Sequence, residues 1–455
     1  MATRIRRREF LVGSLAALAS PGCLSPGMLG SLTQIVDRPL PFEQQPRIAC
    51  IGLGGRGWVD AQRIAAAGGR VTALCDVDIT PPTWVFLMND VIEQFPEARF
   101  HRDYREMLAN HADDFDAVVI STPDHHHCHA AALAMRAGKH VYCQKPLAWS
   151  IEETRQLTEL AQETGVVTQM GNQAHATDHL RRTVELVRGG VVGRVQQIHC
   201  LTDRPIWPQG MKERPAPRPV PEDLDWDLWL GPAPERPYAE GYHSFNWRGW
   251  WDFGTGALGD MGCHILDMPI WALDTGTPTR LSASSDGTTD EAAPNASTVS
   301  MRLPAGAYSE ELDLHWYDGG RLPPAEVAEA LGFDERKLRD FDCIVLGTDG
   351  AIAFNHLGKL ELHAGAKSEA LHDVPQSIPR VLNDAVEWID GINGGSPPLS
   401  RFEISGPFNE TVMAGNLAIR VDRTMSWDAA AMRSPDAPEA NQYLGRNPRP
   451  GWGSR

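Results

Sequence analysis

The stretch Gly52-Leu53-Gly54-Gly55-Arg56-Gly57 fits G-x-G-x-x-G and stands between an apolar run, Arg47 to Ile51, and a helical stretch, Val59 to Ala67. That setting leaves the chain little freedom. Glycines so placed let backbone N–H groups approach a pyrophosphate at a helix N-terminus, and the strand, turn and helix make the first half of a parallel βαβ unit. Asp76 ends the next strand, nineteen residues past Gly57. A carboxylate there accepts ribose hydroxyls and repels a 2′-phosphate, which favours NAD over NADP.

Short runs that are apolar on both faces recur at Ile48 to Ile51, Val71 to Cys75, Ala117 to Ile120 and His140 to Cys143. Helical stretches at Val59 to Ala67 and His127 to Ala137 lie between them, as a parallel sheet covered on both faces requires. A helix from Ser150 to Thr164, with Ser150 and Glu153 at capping-box spacing, closes the first domain. The rhythm changes at the strand Val166 to Met170. A helix (Thr177 to Gly189) and a strand (Val195 to Thr202) lead into an irregular segment, Arg204 to Asp252, that holds six of the fourteen tryptophans. Strand-like runs then succeed one another from Thr279 to His363 with little helix between them, and helices at Ile378 to Gly391 and Pro407 to Thr424 finish the chain. This reads as an open, mostly antiparallel sheet with a face free to pair with another subunit, as a homodimer or homotetramer. The expected division is an export signal (1–30), a linker (31–46), a dinucleotide-binding domain (47–167) and an α/β substrate and oligomerisation domain (168–455).

Lys145 follows the apolar strand His140 to Cys143 and precedes Pro146, which fixes its own φ and restricts the residue before it. Open parallel sheets take their ligands at the carboxyl ends of the strands, so Lys145 is aimed at a cofactor rather than at solvent. Ser121-Thr122-Pro123-Asp124 ends another strand and faces the same crevice. His127, in the first turn beyond, either reaches the cofactor or satisfies local backbone. Asp260 and His264, four apart in the helical stretch Gly256 to Met268, project from one face, and Asp267 joins them. They are either an exposed pair or a carboxylate orienting an imidazole base. The tryptophan-rich segment, with Arg204, Trp207, His243, Asn246, Trp247 and Arg248, presents flat aromatic faces beside hydrogen-bonding groups. That mixture suits a sugar, and core packing is the competing explanation.

A net charge of −17 over 455 residues argues against a nucleic-acid partner. The basic cluster at Arg6-Arg7-Arg8 precedes the apolar run Leu11 to Ala19, too short to span a bilayer, which reads as a twin-arginine export signal and implies a periplasmic address. A short basic amphipathic helix is the alternative, and lipid attachment at Cys23 stays open. The seven later cysteines form no CxxC pair and read as buried free thiols. The histidines at 125–127 and 129 lack matching cysteine or carboxylate ligands, so no metal site is expected.

Together these residues resemble the Gfo/Idh/MocA family, the glucose-fructose oxidoreductase and inositol dehydrogenase relatives. The glycine loop is similar at Gly52 to Gly57, the Thr-Pro followed by histidine at Thr122, Pro123 and His127, the Glu-Lys-Pro at Gln144, Lys145 and Pro146, and the Asp-x-x-x-His at Asp260 and His264. The leader, the Gly171-Asn172-Gln173 turn and Arg204-Pro205-Ile206-Trp207-Pro208 resemble an exported bacterial branch. The resemblance implies a Rossmann domain followed by an α/β domain with an open, mostly antiparallel sheet, and an active site between them. It implies NAD bound by Gly52, Leu53, Gly54, Gly55, Arg56, Gly57, Asp76, Ser121, Thr122, Pro123, His127, Gln144, Lys145 and Gln173. Catalysis would fall to Lys145, Asp260 and His264. These three, with Arg204, Trp207, His243 and Trp247, would bind the substrate. The implied reaction is hydride transfer at a secondary alcohol of a sugar, polyol or glycoside. A redox-neutral glycoside hydrolase that recycles a tightly held cofactor, and a periplasmic sugar-binding protein with a structural nucleotide, are the alternatives. Glutamine in place of glutamate at Gln144 departs from the family pattern.

Overall fold

The computed structural model describes residues 44–78, 88–363, 365–366 and 370–454. The expected export signal and most of the expected linker lie outside the described residues. Six strands form one parallel sheet: β1 (Arg47–Ile51), β2 (Arg70–Cys75), β3 (Arg99–His101), β4 (Ala117–Ile120), β5 (His140–Gln144) and β6 (Thr168–Gly171). Their order is β3-β2-β1-β4-β5-β6, so the direction of winding reverses between β1 and β4. The crevice at the carboxyl ends of those two strands is where such a sheet takes its ligand. Helix α1 (Arg56–Ala66) packs on one face, α2 (Asp124–Arg136) and α3 (Ile151–Thr164) on the other. Ser150 caps α3 as expected, its Oγ accepting the Glu153 N–H at 3.3 Å.

The boundary expected at residue 168 falls within this sheet. Strand β6 pairs with β5 from Val141↔Thr168 to Gln144↔Gly171, so the first domain runs on to Gly171. The run Val166 to Met170 follows α3 closely and reads as the start of something new. Its register with β5 makes it the edge of the old sheet.

The second sheet has eight strands: β7 (Val195–Leu201), β8 (Arg280–Ser285), β9 (Ser297–Leu303), β10 (Ser309–Tyr317), β11 (Cys343–Gly347), β12 (Ala351–Asn355), β13 (Lys359–His363) and β14 (Met425–Ser426). The order is β13-β12-β11-β7-β10-β9-β8-β14, antiparallel except for the parallel pair β7 and β10. Strand β9 alternates buried and half-buried residues, with Val299, Met301 and Leu303 facing the core. Helix α4 (Asp178–Arg188) precedes this sheet. The stretch expected as one helix from Gly256 is two, α5 (Gly256–Ile265) and α6 (Asp267–Leu273), broken at Leu266. Pro269 has no N–H to give and clashes with a continuing turn, but it is tolerated in the first turn of α6.

The end of the chain returns to the first domain. Helix α7 (Asp384–Ile392) lies beside α1, its Trp388 fully buried against Tyr142, Trp58 and Ile64. Asp384 pairs with Arg63 and accepts the Tyr142 hydroxyl at 2.6 Å. Helix α8 (Phe402–Val421) packs on α3 and against the inner face of β8 and β9, and joins the two domains. All seven cysteines of the described residues are buried and free. Among the described residues no helix is long and apolar enough to cross a membrane.

Trp388 therefore supports a sheet more than two hundred residues before it in the chain. Trp388→Ala should lower unfolding stability by about 3–5 kcal/mol, read by circular dichroism in denaturant.

Candidate active site

Lys145 leaves the carboxyl end of β5, and its ammonium donates to both the Oδ1 and the backbone carbonyl of Asp260, each at 2.8 Å. Asp260 belongs to α5, so the contact joins the two domains. An ammonium has three protons; two are committed here and one is free for a ligand. The Arg248 Nε, in the short turn Asn246–Gly249, comes to 3.3 Å from the same Oδ1. Burial opposes the Asp260 charge, yet Lys145 and Arg248 outweigh it and hold the carboxyl well below the usual range.

Asp260 and His264 share a face of α5, but the carboxylate does not orient the imidazole as expected. Two full cations outcompete a neutral ring for it. Burial, reinforced by the Lys145 charge, pushes the His264 imidazole well below its ordinary value, so the ring is a neutral acceptor at neutral pH. Among the described residues His264 makes no hydrogen bond, and its ring lies nearly parallel to that of His356, centroids 5.6 Å apart at 15°. Asp267 does not join them. It turns the other way to His175 at 2.9 Å and to Asn172 at 3.0 Å, fastening α6 to the end of β6.

Asp124 opens α2 and is 3 % exposed. Its Oδ2 accepts the Thr255 hydroxyl at 2.7 Å, the residue before α5, and so ties the Thr-Pro turn to the helix that carries Asp260 and His264. Burial raises its carboxyl to about 7, against the pull of Lys145.

On the cofactor side, Gly52 adopts φ +81°, and a Cβ there would lie 2.7 Å from the Ser121 carbonyl carbon; at Gly57 it would lie 1.9 Å from the Gly52 oxygen. The loop is closed to side chains on its inner side. At Gly54 a Cβ would meet nothing within 4 Å, and no side chain caps the α1 N-terminus at Gly55. Open space before a helix N-terminus that no side chain caps fits a pyrophosphate. Thr122, two residues past β4, has a buried Oγ1 with no partner among the described residues. Asp76 holds the loop itself, accepting from the Leu53 N–H at 2.6 Å and the Asp78 N–H at 3.1 Å. The N–H groups of Gly54 and Val77 also act on the carboxylate, so Asp76 is tied to the glycine loop and to its own strand end from several sides.

The other expected cofactor contacts divide. The His127 ring is fully buried between the carbonyls of Pro146 at 2.7 Å and Thr122 at 2.9 Å, so it clamps the two turns together and does not face the crevice. Burial pushes it down to about 4, and a neutral ring donates to one of the two at a time. Arg56 pairs with Asp60 at 2.6 Å. Gln173 lies against the Tyr142 hydroxyl and the Gly171 carbonyl. Gln144 donates to Asp60 Oδ2 at 2.8 Å, and the Ser121 hydroxyl donates to the same oxygen at 2.9 Å. The buried negative charge thus sits on α1, at Asp60, and a glutamate at position 144 would confront it.

The expected sugar platform is mostly a wall. Trp229, Trp250, Tyr242 and Phe253 form a buried cluster against Val77, and Trp207 and Trp247 are 5 % and 7 % exposed. Trp247 backs the Arg248 guanidinium at 4.3 Å from its centroid, with Trp207 at 5.8 Å. His243 meets Asp78 at 3.2 Å beyond β2, at the ribose end of the crevice rather than beside Lys145. Arg204 lies three residues past β7 and pairs with Asp203 at 3.8 Å. Asp60 and His356 join the site without having been singled out, Asp60 leaving only its spacing of four from Arg56 as a trace; Asp124 and Arg248, expected in the strand-end run and the tryptophan-rich segment, take the roles of tying α2 to α5 and of holding Asp260.

Residues 46–172 match the Gfo/Idh/MocA profile described as "Oxidoreductase family, NAD-binding Rossmann fold", and residues 186–308 that described as "Oxidoreductase family, C-terminal alpha/beta domain". The chain belongs to the Gfo/Idh/MocA oxidoreductase family. Its first domain is the family's NAD-binding Rossmann domain, and the cofactor is NAD. The chain is 36% identical over 108 residues to the 1-carboxy-3-chloro-3,4-dihydroxycyclohexa-1,5-diene dehydrogenase of Comamonas testosteroni, covering 24% of this chain and 26% of that one. It is 30% identical over 203 residues to the glycosyl hydrolase family 109 protein 2 of Shewanella sp. (strain ANA-3), covering 42% and 44%. These matches span less than half the length of either relative. In fold it is similar to the WlbA dehydrogenase of Bordetella pertussis in complex with NADH and UDP-GlcNAcA, with TM-score 0.59, 16% identity, and 85% of this chain and 99% of that one covered.

Gln144→Glu should place two carboxylates in contact, cost about 1–3 kcal/mol and reduce co-purifying NAD, with Asp60→Asn in the same chain restoring part of both; thermal unfolding and released nucleotide measure it. Asp124 has a folded value raised from the 3.8 of an unfolded carboxyl to about 7. Its contribution to stability is intact below the lower value and is lost as pH rises through the upper. Asp124→Asn should therefore gain on the native chain between pH 5 and pH 8, by at most roughly 3 kcal/mol, in unfolding followed at both pH values.

Proposed function

We propose that this protein transfers a hydride between NAD and a secondary alcohol of a sugar, polyol or glycoside. The observation that carries the reading is the pairing of a neutral, unengaged imidazole at His264 with an ammonium at Lys145 that keeps one proton free. When bound, NAD supplies the hydride acceptor at the carboxyl ends of the first sheet. His264 takes the hydroxyl proton, and Lys145 donates its remaining N–H to the reacting oxygen and stabilises the charge that develops there. Asp260 fixes Lys145 through two hydrogen bonds, and Arg248 fixes Asp260. The relatives named for a dihydroxylated ring and for glycosyl hydrolysis, and the structural neighbour holding UDP-GlcNAcA, support a polyhydroxylated substrate.

The glycosyl hydrolase family 109 relatives favour a second reading, redox-neutral cleavage of a glycoside with the hydride returned in each turnover. Release of nitrophenol from nitrophenyl glycosides without net NADH separates the two. Export by the twin-arginine route and assembly as a homodimer or homotetramer belong to the same proposal. They are supported by the arginine cluster of the leader and by the open second sheet.

Lys145→Ala and His264→Ala should each lower turnover by at least about 100-fold in a sugar and polyol screen read at the nicotinamide absorbance, while bound NAD persists. Unchanged turnover in both variants sinks the assignment.

A further inference from the structure

The turn between β12 and β13 brings a second imidazole beside the first. His356 follows Asn355, the last residue of β12, and its ring stacks on that of His264 at 5.6 Å and 15°. Asp342 holds it from two sides. One carboxylate accepts the His356 backbone N–H at 3.1 and 3.2 Å through its two oxygens, and Oδ2 also makes a short contact with Nδ1. The turn is anchored as well: the His179 ring stacks on Phe354 at 4.7 Å, and its Nε2 meets the Asn355 carbonyl at 2.9 Å.

A carboxylate oxygen accepts, so Nδ1 of His356 carries the proton and this tautomer leaves Nε2 as the acceptor. Among the described residues that nitrogen has no hydrogen-bond partner, and the side chain is 15 % exposed, so it is not sealed away. An Asp-held imidazole with an open acceptor therefore stands next to the base. It belongs to the turn after β12, and no residue of α5 is among its hydrogen-bond partners.

We propose that His356 is a substrate contact that sets specificity: its Nε2 accepts a hydrogen bond from a second hydroxyl of the same ring whose first hydroxyl gives its proton to His264. Hydrogen bonds of about 2.8 Å reach from each imidazole, so two hydroxyls of one six-membered ring bridge nitrogens on rings this far apart. A single secondary alcohol satisfies His264 alone. The inference rests on the polyol reading and narrows it to rings bearing at least two nearby hydroxyls. Asp342 is a positioning residue, acting through His356.

The test uses NAD-loaded protein labelled with ¹⁵N-histidine, its signals assigned with His264→Gln and His356→Gln, and four probes: myo-inositol, D-glucose, methyl β-D-glucoside and cyclohexanol. The free protein should show His356 protonated on Nδ1. At least one of the three polyols should shift the Nε2 signals of both histidines, whereas cyclohexanol should shift only that of His264. In His356→Gln and His356→Ala that polyol should bind roughly 10-fold more weakly with cyclohexanol unchanged, the size expected for one lost hydrogen bond. A polyol that shifts His264 but not His356, or binds both variants as tightly as the native chain, overturns the inference while leaving the function standing. So does a His356 protonated on Nε2. Polyols that shift neither ring overturn the polyol reading and the inference with it.

Discussion

The double hydrogen bond from Lys145 to Asp260 is the contact on which the rest of the site depends. One end belongs to the parallel sheet that binds the nucleotide, the other to the helix of the second domain that carries His264, so the ion pair places the lysine directly beside the base's own helix. Both side chains are only 15 % exposed, and in such surroundings an uncompensated charge is far more costly than a paired one. The second cation, Arg248, completes the arrangement. It prevents Asp260 from being neutralised by a proton, and its own position is set by the aromatic rings behind it.

That arrangement changes what the family motif does in this chain. The aspartate and histidine of α5 share a helix face and feel each other's charge, but no hydrogen bond joins them. Asp260 serves the lysine, and His264 is left with a neutral ring that, among the described residues, has His356 as its ring neighbour. A similar reassignment occurs around Gln144. The negative charge lies on Asp60 beneath the glycine loop, where Arg56, Ser121 and Gln144 all donate to it, so the lysine turn and the pyrophosphate helix are held by one buried carboxylate.

Much of this was legible in the sequence because it is local. The glycine loop, Asp76, the strand ends at Ser121 and Lys145, and the spacing of Asp260 and His264 are set by a few consecutive residues and one period. What was not legible comes from distance along the chain. Strand β6 looks like a beginning until its register with β5 is known. Trp207 and Trp247 look like a sugar platform until Arg248 is found against them, and His243 until Asp78 is found beside it. His356 lies ninety-two residues beyond His264, in a turn whose sequence has no motif. Tertiary packing alone makes them neighbours.

The return of α7 to the first sheet has a consequence for how the molecule is made. Synthesis runs from the N-terminus, and an early domain ordinarily folds as a unit while the rest is still emerging. Here the apolar face formed by Cys50, Trp58, Ile64 and Tyr142 stays uncovered until Trp388 and Ile389 have been added. The helix behind the glycine loop acquires its complete apolar support only once residue 389 has been added, so a chain cut short of that point keeps the glycine motif but leaves this face bare.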